Sequence, residues 1–164
     1  MPELLRSLLA LEFDYADGEG MDFEPFATFL STRETREWFQ AWTGNTEVDG
    51  AEFQVFGQDG SGGYAAIWQV RKDVQLLDQP VVFLGSEGEI GVVATSVADF
   101  LWLLAGGLGP CEAVTVPSEK PENPHFAEFA MLHAPDSKKT ALEVLGQAKA
   151  DFPDFEHRML EICR

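Results

Sequence analysis

Residues 52–70 read EFQVFGQDGSGGYAAIWQV, and this stretch decides the fold. Two runs of β-branched and aromatic residues, 52–56 and 64–70, flank a loop that has four glycines in seven positions. Such runs are typical of strands, and a short glycine-rich loop between them predicts a β-hairpin. The positive φ angles that hairpin turns need are expected at Asp59-Gly60 and Gly62-Gly63.

The same loop could instead cradle a phosphate. A P-loop requires Lys and then Ser or Thr after the last glycine, with a helix behind them, whereas Tyr64 and a strand follow Gly63. A dinucleotide fingerprint fails because a second strand offers no helix N-terminus to a pyrophosphate. We therefore interpret the loop as a structural turn, formed by Gly57, Gly60, Gly62 and Gly63.

Two further segments, PVVFL (80–84) and EIGVVA (89–94), continue the strand pattern. EFQVF alternates apolar and polar residues, as in a strand with one face on the core, whereas PVVFL does not alternate and is expected to be central and covered on both faces. Alternate connections of an antiparallel meander emerge at the same edge of the sheet. We therefore expect the turn 57–63 to neighbour the turn 85–88, in which Gly85 and Gly88 are the turn residues.

Helices are expected on both sides of these strands. Phe23, Phe26 and Leu30 recur at helical spacing, and Ser31 with Glu34 predicts a capping box that opens a second helix. A third, strongly apolar helix is predicted after Ser96, and two or three closing helices begin at Pro124.

The predicted fold class is therefore α+β. An antiparallel, meander-type curved sheet is flanked by helices and followed by a C-terminal helical segment. Because 164 residues with 45% hydrophobic content suit one ordinary core, we expect a single domain over 1–164. Its core would cover about 23–115 and its helical extension about 123–164.

The net negative charge of the chain disfavours some classes of binding partner. Against 28 acidic side chains there are 11 basic ones, a formal net charge of -17, which repels nucleic acid and anionic membranes and attracts basic proteins. Cys111 and Cys163 have no CxxC spacing, so neither a disulfide framework nor a zinc ribbon is predicted. No secretory signal and no membrane-spanning run is evident, and a cytoplasmic location is expected.

Acidic side chains cluster in the loops. If the two hairpin turns are neighbours, Asp59, Glu87 and Glu89 form an acidic rim, and the segment DYADGEGMD (14–22) adds Asp17 and Glu19 in an exposed loop. Such a rim is typical of a recognition surface, although hairpin tips without any function are also often acidic.

The sequence supports catalysis less well than binding. The three histidines, His125, His133 and His157, all lie in the closing helices, and Gly60-Ser61-Gly62 is the wrong context for a nucleophile elbow. His125, Glu128 and His133 lack HExxH spacing. Paired carboxylates on glycine-rich turns are hydrated and ionised, which suits acid–base chemistry poorly. No catalytic, cofactor-binding or metal-binding residue is predicted.

Two stretches, GQDGSGGYAAIWQV and QPVVFLGSEGEIGVVATSVADFLWLLAGG, resemble the core of the SUKH superfamily, which includes bacterial immunity proteins and a yeast regulator of cell-wall synthesis. The resemblance covers roughly Phe53 to Gly107. It implies an α+β fold with a curved sheet, and a role in binding and neutralising a toxin domain. The matching positions are mainly structural: Gly57, Asp59, Gly60, Gly63 and Trp68. The N-terminal third departs from the family, since Asn45 follows Gly44 instead of preceding it.

The resulting prediction is a non-catalytic protein-binding module, an immunity protein that occludes a basic toxin domain. The acidic residues would steer association, and Trp68 or Trp102 would anchor the contact. Two alternatives stay open. One is a small-ligand or carbohydrate-related enzyme on the same scaffold, and the other is a structural or regulatory homodimer that uses the Trp102 and Leu103 face.

Overall fold

The computed structural model describes all residues, 1–164, and contains a five-stranded antiparallel sheet in the sequential order β1-β2-β3-β4-β5. The predicted α+β class, with its meander and C-terminal helical part, is confirmed. The strands are β1 (Glu24–Pro25), β2 (Phe53–Gln58), β3 (Tyr64–Trp68), β4 (Val81–Leu84) and β5 (Ile90–Ala94).

Seven α-helices surround this sheet: α1 (Glu3–Leu9), α2 (Thr32–Thr43), α3 (Val97–Ala105), α4 (Pro110–Thr115), α5 (Pro124–His133), α6 (Ala141–Asp151) and α7 (Phe155–Ile162). Short 3₁₀ turns occur at Ala16–Gly18, Leu76–Asp78 and Pro135–Ser137. No helix has the length and apolar character needed to cross a lipid bilayer.

The sheet is buried on both faces. On one face, Phe39 of α2 and Phe155 of α7 pack against strand residues such as Phe53. On the other face, α1, α3 and α5 cover a larger cluster that includes Phe56 and Phe83. Every residue of β4 is buried, which confirms the prediction for PVVFL. The expectation that β2 has only one face on the core is wrong, because Phe56 belongs to the cluster on the other face and packs against Phe100 of α3.

The predicted helix caps are confirmed. The Ser31 hydroxyl accepts a hydrogen bond from the Glu34 N–H, and the Glu34 carboxylate accepts one from the Ser31 N–H, which completes the capping box of α2. These hydrogen bonds from Ser31 hold the pKa of the Glu34 carboxyl below its usual value. Ser96 caps α3 in the same manner through the Asp99 N–H, and Asn123 caps α5 ahead of Pro124.

The prediction of a helix over Phe23–Leu30 is wrong. Glu24 and Pro25 instead pair with β2 as the edge strand β1, and the N–H groups of Phe26 and Leu30 donate to the carbonyls of Phe56 and Val55 at 2.8 and 3.0 Å. The helical spacing of the three apolar residues is overridden because this segment finds its hydrogen-bond partners on a strand about 30 residues away. Helix α4 was not predicted at all.

The turn glycines serve two different purposes. Gly62 and Gly88 have positive φ values of 90° and 99°. The prediction of a positive φ at Asp59, Gly60 and Gly63 is wrong. Gly63 is required for space instead, because a Cβ there would lie 2.9 Å from the Cα of Gly85 and 2.8 Å from the Phe83 ring.

We expect the substitution Gly63→Ala to lower the free energy of unfolding by about 1–3 kcal/mol, because the added methyl must displace backbone. The matched control is Gly146→Ala within α6, where nothing lies within 4 Å of the added Cβ. That control is expected to raise stability by about 0.5–1 kcal/mol, since alanine reduces the entropy of the unfolded chain. Urea denaturation measures both, and equal effects of the two substitutions would contradict the close contact.

Candidate functional site

Asp59 organises the first hairpin turn from the inside. Its side chain is only 5% exposed. Oδ1 accepts hydrogen bonds from the Gly63 N–H at 2.7 Å and from the Ser61 N–H at 3.0 Å, and the Ser61 hydroxyl lies 2.9 Å from both carboxylate oxygens. The prediction that Asp59 belongs to an exposed rim is wrong, because its charge is used to satisfy the buried donors of the turn.

The two hairpin turns contact each other, as predicted from the meander. The Ser61 and Ser86 hydroxyls are 2.9 Å apart, and Gly63 packs directly against Gly85. Trp42 of α2 donates from Nε1 to the Gly85 carbonyl at 2.8 Å. Helix α2 therefore fixes the second turn, and the serine pair couples it to the first.

The acidic loop 14–22 is hydrogen-bonded to the first hairpin turn. Asp22 accepts a hydrogen bond from the Gly60 N–H at 2.9 Å, and its own N–H donates to Glu112 at 2.8 Å. Lys120 donates to the Glu19 carbonyl at 2.9 Å. None of these contacts was predicted, because the partners lie 38, 90 and 101 residues apart and no local pattern links them.

We call the acidic edge the solvent-facing carboxylates of two of these loops, the loop 14–22 and the turn that follows Gly85. They are Asp17, Glu19 and Glu87, which are exposed, and Glu89, which is half-buried. Within the loop 14–22, Ala16 and Asp17 both have left-handed backbone, with φ of 46° and 54°. Consecutive non-glycine residues in this region are strained and need surrounding contacts to hold them. The contacts to Gly60, Glu112 and Lys120 provide that support.

Neither tryptophan proposed as an anchor reaches the surface. Trp68 is 4% exposed and packs against Phe152 and Phe155 of the C-terminal segment, with ring centroids 5.6 and 4.8 Å away. Trp102 is 3% exposed and donates from Nε1 to the Ala134 carbonyl at 2.8 Å. Their assignment to a partner contact is wrong. Leu103 is completely buried, so the proposed dimer face around Trp102 is wrong for the same reason.

Cys111 is a half-buried residue of α4, near Asp59 of the first hairpin turn. Its burial raises the pKa of the thiol to about 12, with further contributions from the negative charges of Glu112 and Asp59. A thiol with this pKa stays protonated at neutral pH, and the thiolate is the reactive form. Cys111 is therefore a poor nucleophile in this environment.

The remaining titratable residues are dispersed. His125 and His133 are exposed on α5, and His157 is exposed on α7, where it contacts Glu161 at 3.3 Å. No group of three or more His, Cys, Asp or Glu side chains has the geometry to hold a metal ion.

Comparison with known proteins assigns neither a family nor a function to this chain. No family model matches the chain. No curated protein matches it, and no solved structure matches it.

We expect Asp59→Ala to destabilise the protein by about 2–4 kcal/mol, because two backbone N–H groups and one hydroxyl lose a charged acceptor in a buried turn. Asp59→Asn keeps one acceptor oxygen and should cost less. The control Glu87→Gln, on an exposed side chain, should change stability by no more than about 0.5 kcal/mol. Chemical denaturation gives all three values, and a neutral Asp59→Ala would refute the organising role.

Alkylation provides a test of the Cys111 environment. The rate at which iodoacetamide modifies Cys111 should rise about tenfold for each pH unit from pH 7 to about 10 without levelling off, because only the thiolate reacts and the folded protein retains most of the proton throughout this range. Mass spectrometry of peptides from briefly treated native protein measures the rate. A rate that levels off near pH 9, just above the ordinary thiol pKa of about 8.5, would contradict this environment.

Proposed function

We propose that the protein is a non-catalytic binding module that neutralises a basic protein partner, a bacterial toxin domain, by occlusion. The observation that carries the proposal is the acidic edge, whose two carboxylate-bearing loops are both hydrogen-bonded to the turn 57–63. Its charges are Asp17, Glu19, Glu87 and Glu89.

Preorganisation favours binding by this surface. The turns are already tied by the Ser61–Ser86 contact and by the buried Asp59 carboxylate, and loop 14–22 is held through Asp22. Loops that are ordered before the encounter lose less conformational entropy when a partner docks. The contacts within the edge thus support a rigid recognition surface.

The electrostatics favour a basic partner. None of the four carboxylates of the acidic edge forms a salt bridge with a basic side chain of this chain. Lys120, which contacts the loop 14–22, donates to the Glu19 backbone carbonyl and forms no salt bridge with its carboxylate. Unpaired surface charges of one sign raise the rate of encounter with the opposite sign.

Tyr15 takes the anchoring role that the buried tryptophans cannot fill. It lies within the acidic loop and is 57% exposed. Tyrosine is enriched among the residues that dominate binding energy, because a large, rigid ring loses little entropy and carries a hydroxyl for hydrogen bonding. A basic partner would therefore meet an aromatic contact surrounded by carboxylates.

The resemblance to SUKH proteins supports a toxin domain as the partner. In a nuclease toxin, the basic surface that holds the phosphate of its substrate would be covered by the carboxylates of the acidic edge. Occlusion of this kind requires no chemistry by the binding protein.

The experiment mixes the purified chain with a basic nuclease toxin domain, chosen from any toxin reading frame that adjoins its gene, and measures association by stopped flow. Between about 20 and 200 mM salt the association rate should fall by roughly tenfold or more. The variant Asp17→Asn, Glu19→Gln, Glu87→Gln should associate more slowly and respond less to salt. The matched control is Asp49→Asn, Asp73→Asn, Asp78→Asn, which removes the same charge at the opposite ends of the strands and should retain most of the rate.

A second measurement addresses the anchor. Tyr15→Ala should weaken binding by about 2 kcal/mol or more, mainly through faster dissociation, whereas Tyr15→Phe should keep most of the affinity. Protection of cells that express the toxin should follow the same order. Equal salt dependence in the two charge variants, or full protection by the edge variant, would refute the proposed surface.

A further inference from the structure

The outer side of β5 carries free backbone hydrogen-bonding groups. In an antiparallel ladder, alternate residues bond to the neighbouring strand, and the residues between them point away from it. The Gly85 N–H donates to the Glu89 carbonyl at 2.6 Å, which places Glu89 and, two residues later, Gly91 among the residues that bond to β4. Ile90 and Val92 therefore turn their N–H and C=O groups outward.

No other part of the chain uses these outward groups. The backbone hydrogen bonds outside the helices and the sheet include none to Ile90 or Val92. The nearest side-chain donors, Trp42 and Arg71, bond to carbonyls that lie before and after this strand. Two N–H donors and two carbonyl acceptors are left, on residues about 7 Å apart along an extended strand.

The fold leaves a cleft beside these groups. The cleft has a volume of about 300 Å³ and is lined by residues 90–92 of β5 and by two walls that are mainly apolar. One wall, which includes Val114, comes from α4 and the residues that follow it, and the other, which includes Phe152, comes from α6, α7 and their connection. Lys149 and Glu156 contribute one charge of each sign, so the cleft itself selects neither an anion nor a cation.

An extended peptide is the ligand that matches this arrangement. Its own N–H and C=O groups alternate with the period of the strand, so the residues that pair with Ile90 and Val92 can form up to four hydrogen bonds. A Cβ at Gly91 would lie 3.2 Å from Val114, so the side chain of the central peptide residue, opposite Gly91, would lie on the side of the α4 wall. β-Branched residues suit a segment of this kind because they favour the extended conformation.

The acidic edge adjoins the start of this strand. The turn that follows Gly85 carries Glu87 and Glu89 and leads directly into Ile90. Antiparallel pairing would continue the order of the sheet, and it places the residue that follows the paired peptide segment beside this turn. A lysine or arginine at that position would meet carboxylates that form no salt bridge within the chain.

A second copy of this chain fits the outer side of β5 less well. Each chain has a formal net charge of -17, so two copies repel each other. The strand at the opposite side of the sheet, β1, contains Pro25, which has no N–H to donate to β5. The charge therefore favours a basic protein over self-association.

We infer that β5 binds an extended segment of a basic protein partner as a sixth, antiparallel strand. Three β-branched residues of the segment lie opposite residues 90–92, and a basic residue follows them beside Glu89. The identity of the partner rests on the proposed function. The pairing itself rests only on the free backbone groups of Ile90 and Val92 and on the cleft beside them.

The first test titrates the ¹⁵N-labelled protein with the peptide acetyl-TTVVVKK-amide. The dissociation constant is expected at about 0.1–1 mM, and amide chemical shifts should change in segments 90–92, 113–117 and 152–156. An analogue that is N-methylated at the central valine should keep its affinity, because that N–H points away from β5. N-methylation of the first and third valines removes the donors that face β5 and should weaken binding about tenfold or more.

A variant of the strand tests the same pairing from the other side. Val92→Pro removes an N–H that no bond of the sheet uses, and it should weaken peptide binding about five- to tenfold. The matched control Val92→Ala shortens the same side chain but keeps the N–H, and its affinity should stay within about twofold of the original. The peptide analogues require no variant, so they test the inference even if Val92→Pro does not fold.

Three results would overturn the inference. The first is the absence of localised shifts at about 3 mM peptide, a few times the weakest expected constant. The second is equal binding of the two N-methylated analogues, or equal binding by Val92→Pro and Val92→Ala. The third is the appearance of the same shifts when the protein is concentrated without peptide, which would identify a second copy as the occupant.

The toxin domain separates this inference from the proposed function. Relative to Val92→Ala, Val92→Pro should speed dissociation of the toxin complex about five- to tenfold and leave the salt dependence of association unchanged. Normal association of the toxin with no effect of Val92→Pro would contradict the strand pairing alone. Peptide binding at β5 without any association of the toxin would contradict the proposed function alone.

Discussion

The burial of the sheet on both faces is the constraint on which the rest of the structure depends. Strand β4 is completely buried, and its neighbours contribute side chains to two separate apolar clusters. With helices on both faces, the sheet meets solvent chiefly at the strand ends and their connections. A recognition surface built on this sheet must therefore use the connecting loops or the outer side of an edge strand, and the two hairpin turns at one end are the natural place for a charged surface.

Burial divides the acidic residues at that end into two roles. Asp59 is enclosed, and its carboxylate is stable there because it accepts hydrogen bonds from Ser61 and Gly63. Asp17 and Glu87 are exposed and keep their hydration. The enclosed carboxylate determines the shape of the turn, whereas the exposed carboxylates determine the negative electrostatic potential at the surface. The same chemical group thus acts as an internal hydrogen-bond acceptor in one position and as a surface charge a few residues away.

The loop 14–22 is also held from the segment between α4 and α5. Lys120 lies in that segment, and its ammonium group donates to the Glu19 carbonyl at 2.9 Å. Because the ammonium group binds a backbone carbonyl, the Glu19 carboxylate keeps its charge for solvent or a partner.

Much of the fold could be predicted because its signals are local. The capping box of Ser31 and Glu34, the uniform apolar character of 80–84 and the glycine-rich turns each act within a few residues, and the order of strands then follows from short connections. The neighbouring position of the two turns could also be predicted, since it depends only on the alternation of edges in a meander.

The sequence alone therefore determined the strands β2 to β5, most of the helices, their order and the acidic character of the loops. Only the tertiary structure decided which of these residues face solvent. Glu24 and Pro25 became an edge strand because β2 offered hydrogen-bond partners, Trp68 and Trp102 were enclosed by segments from the C-terminal third, and Asp22 reached Gly60 across 38 residues. Burial and strand pairing of this kind arise from contacts between segments that are distant in sequence, and no local pattern of residue types predicts such contacts.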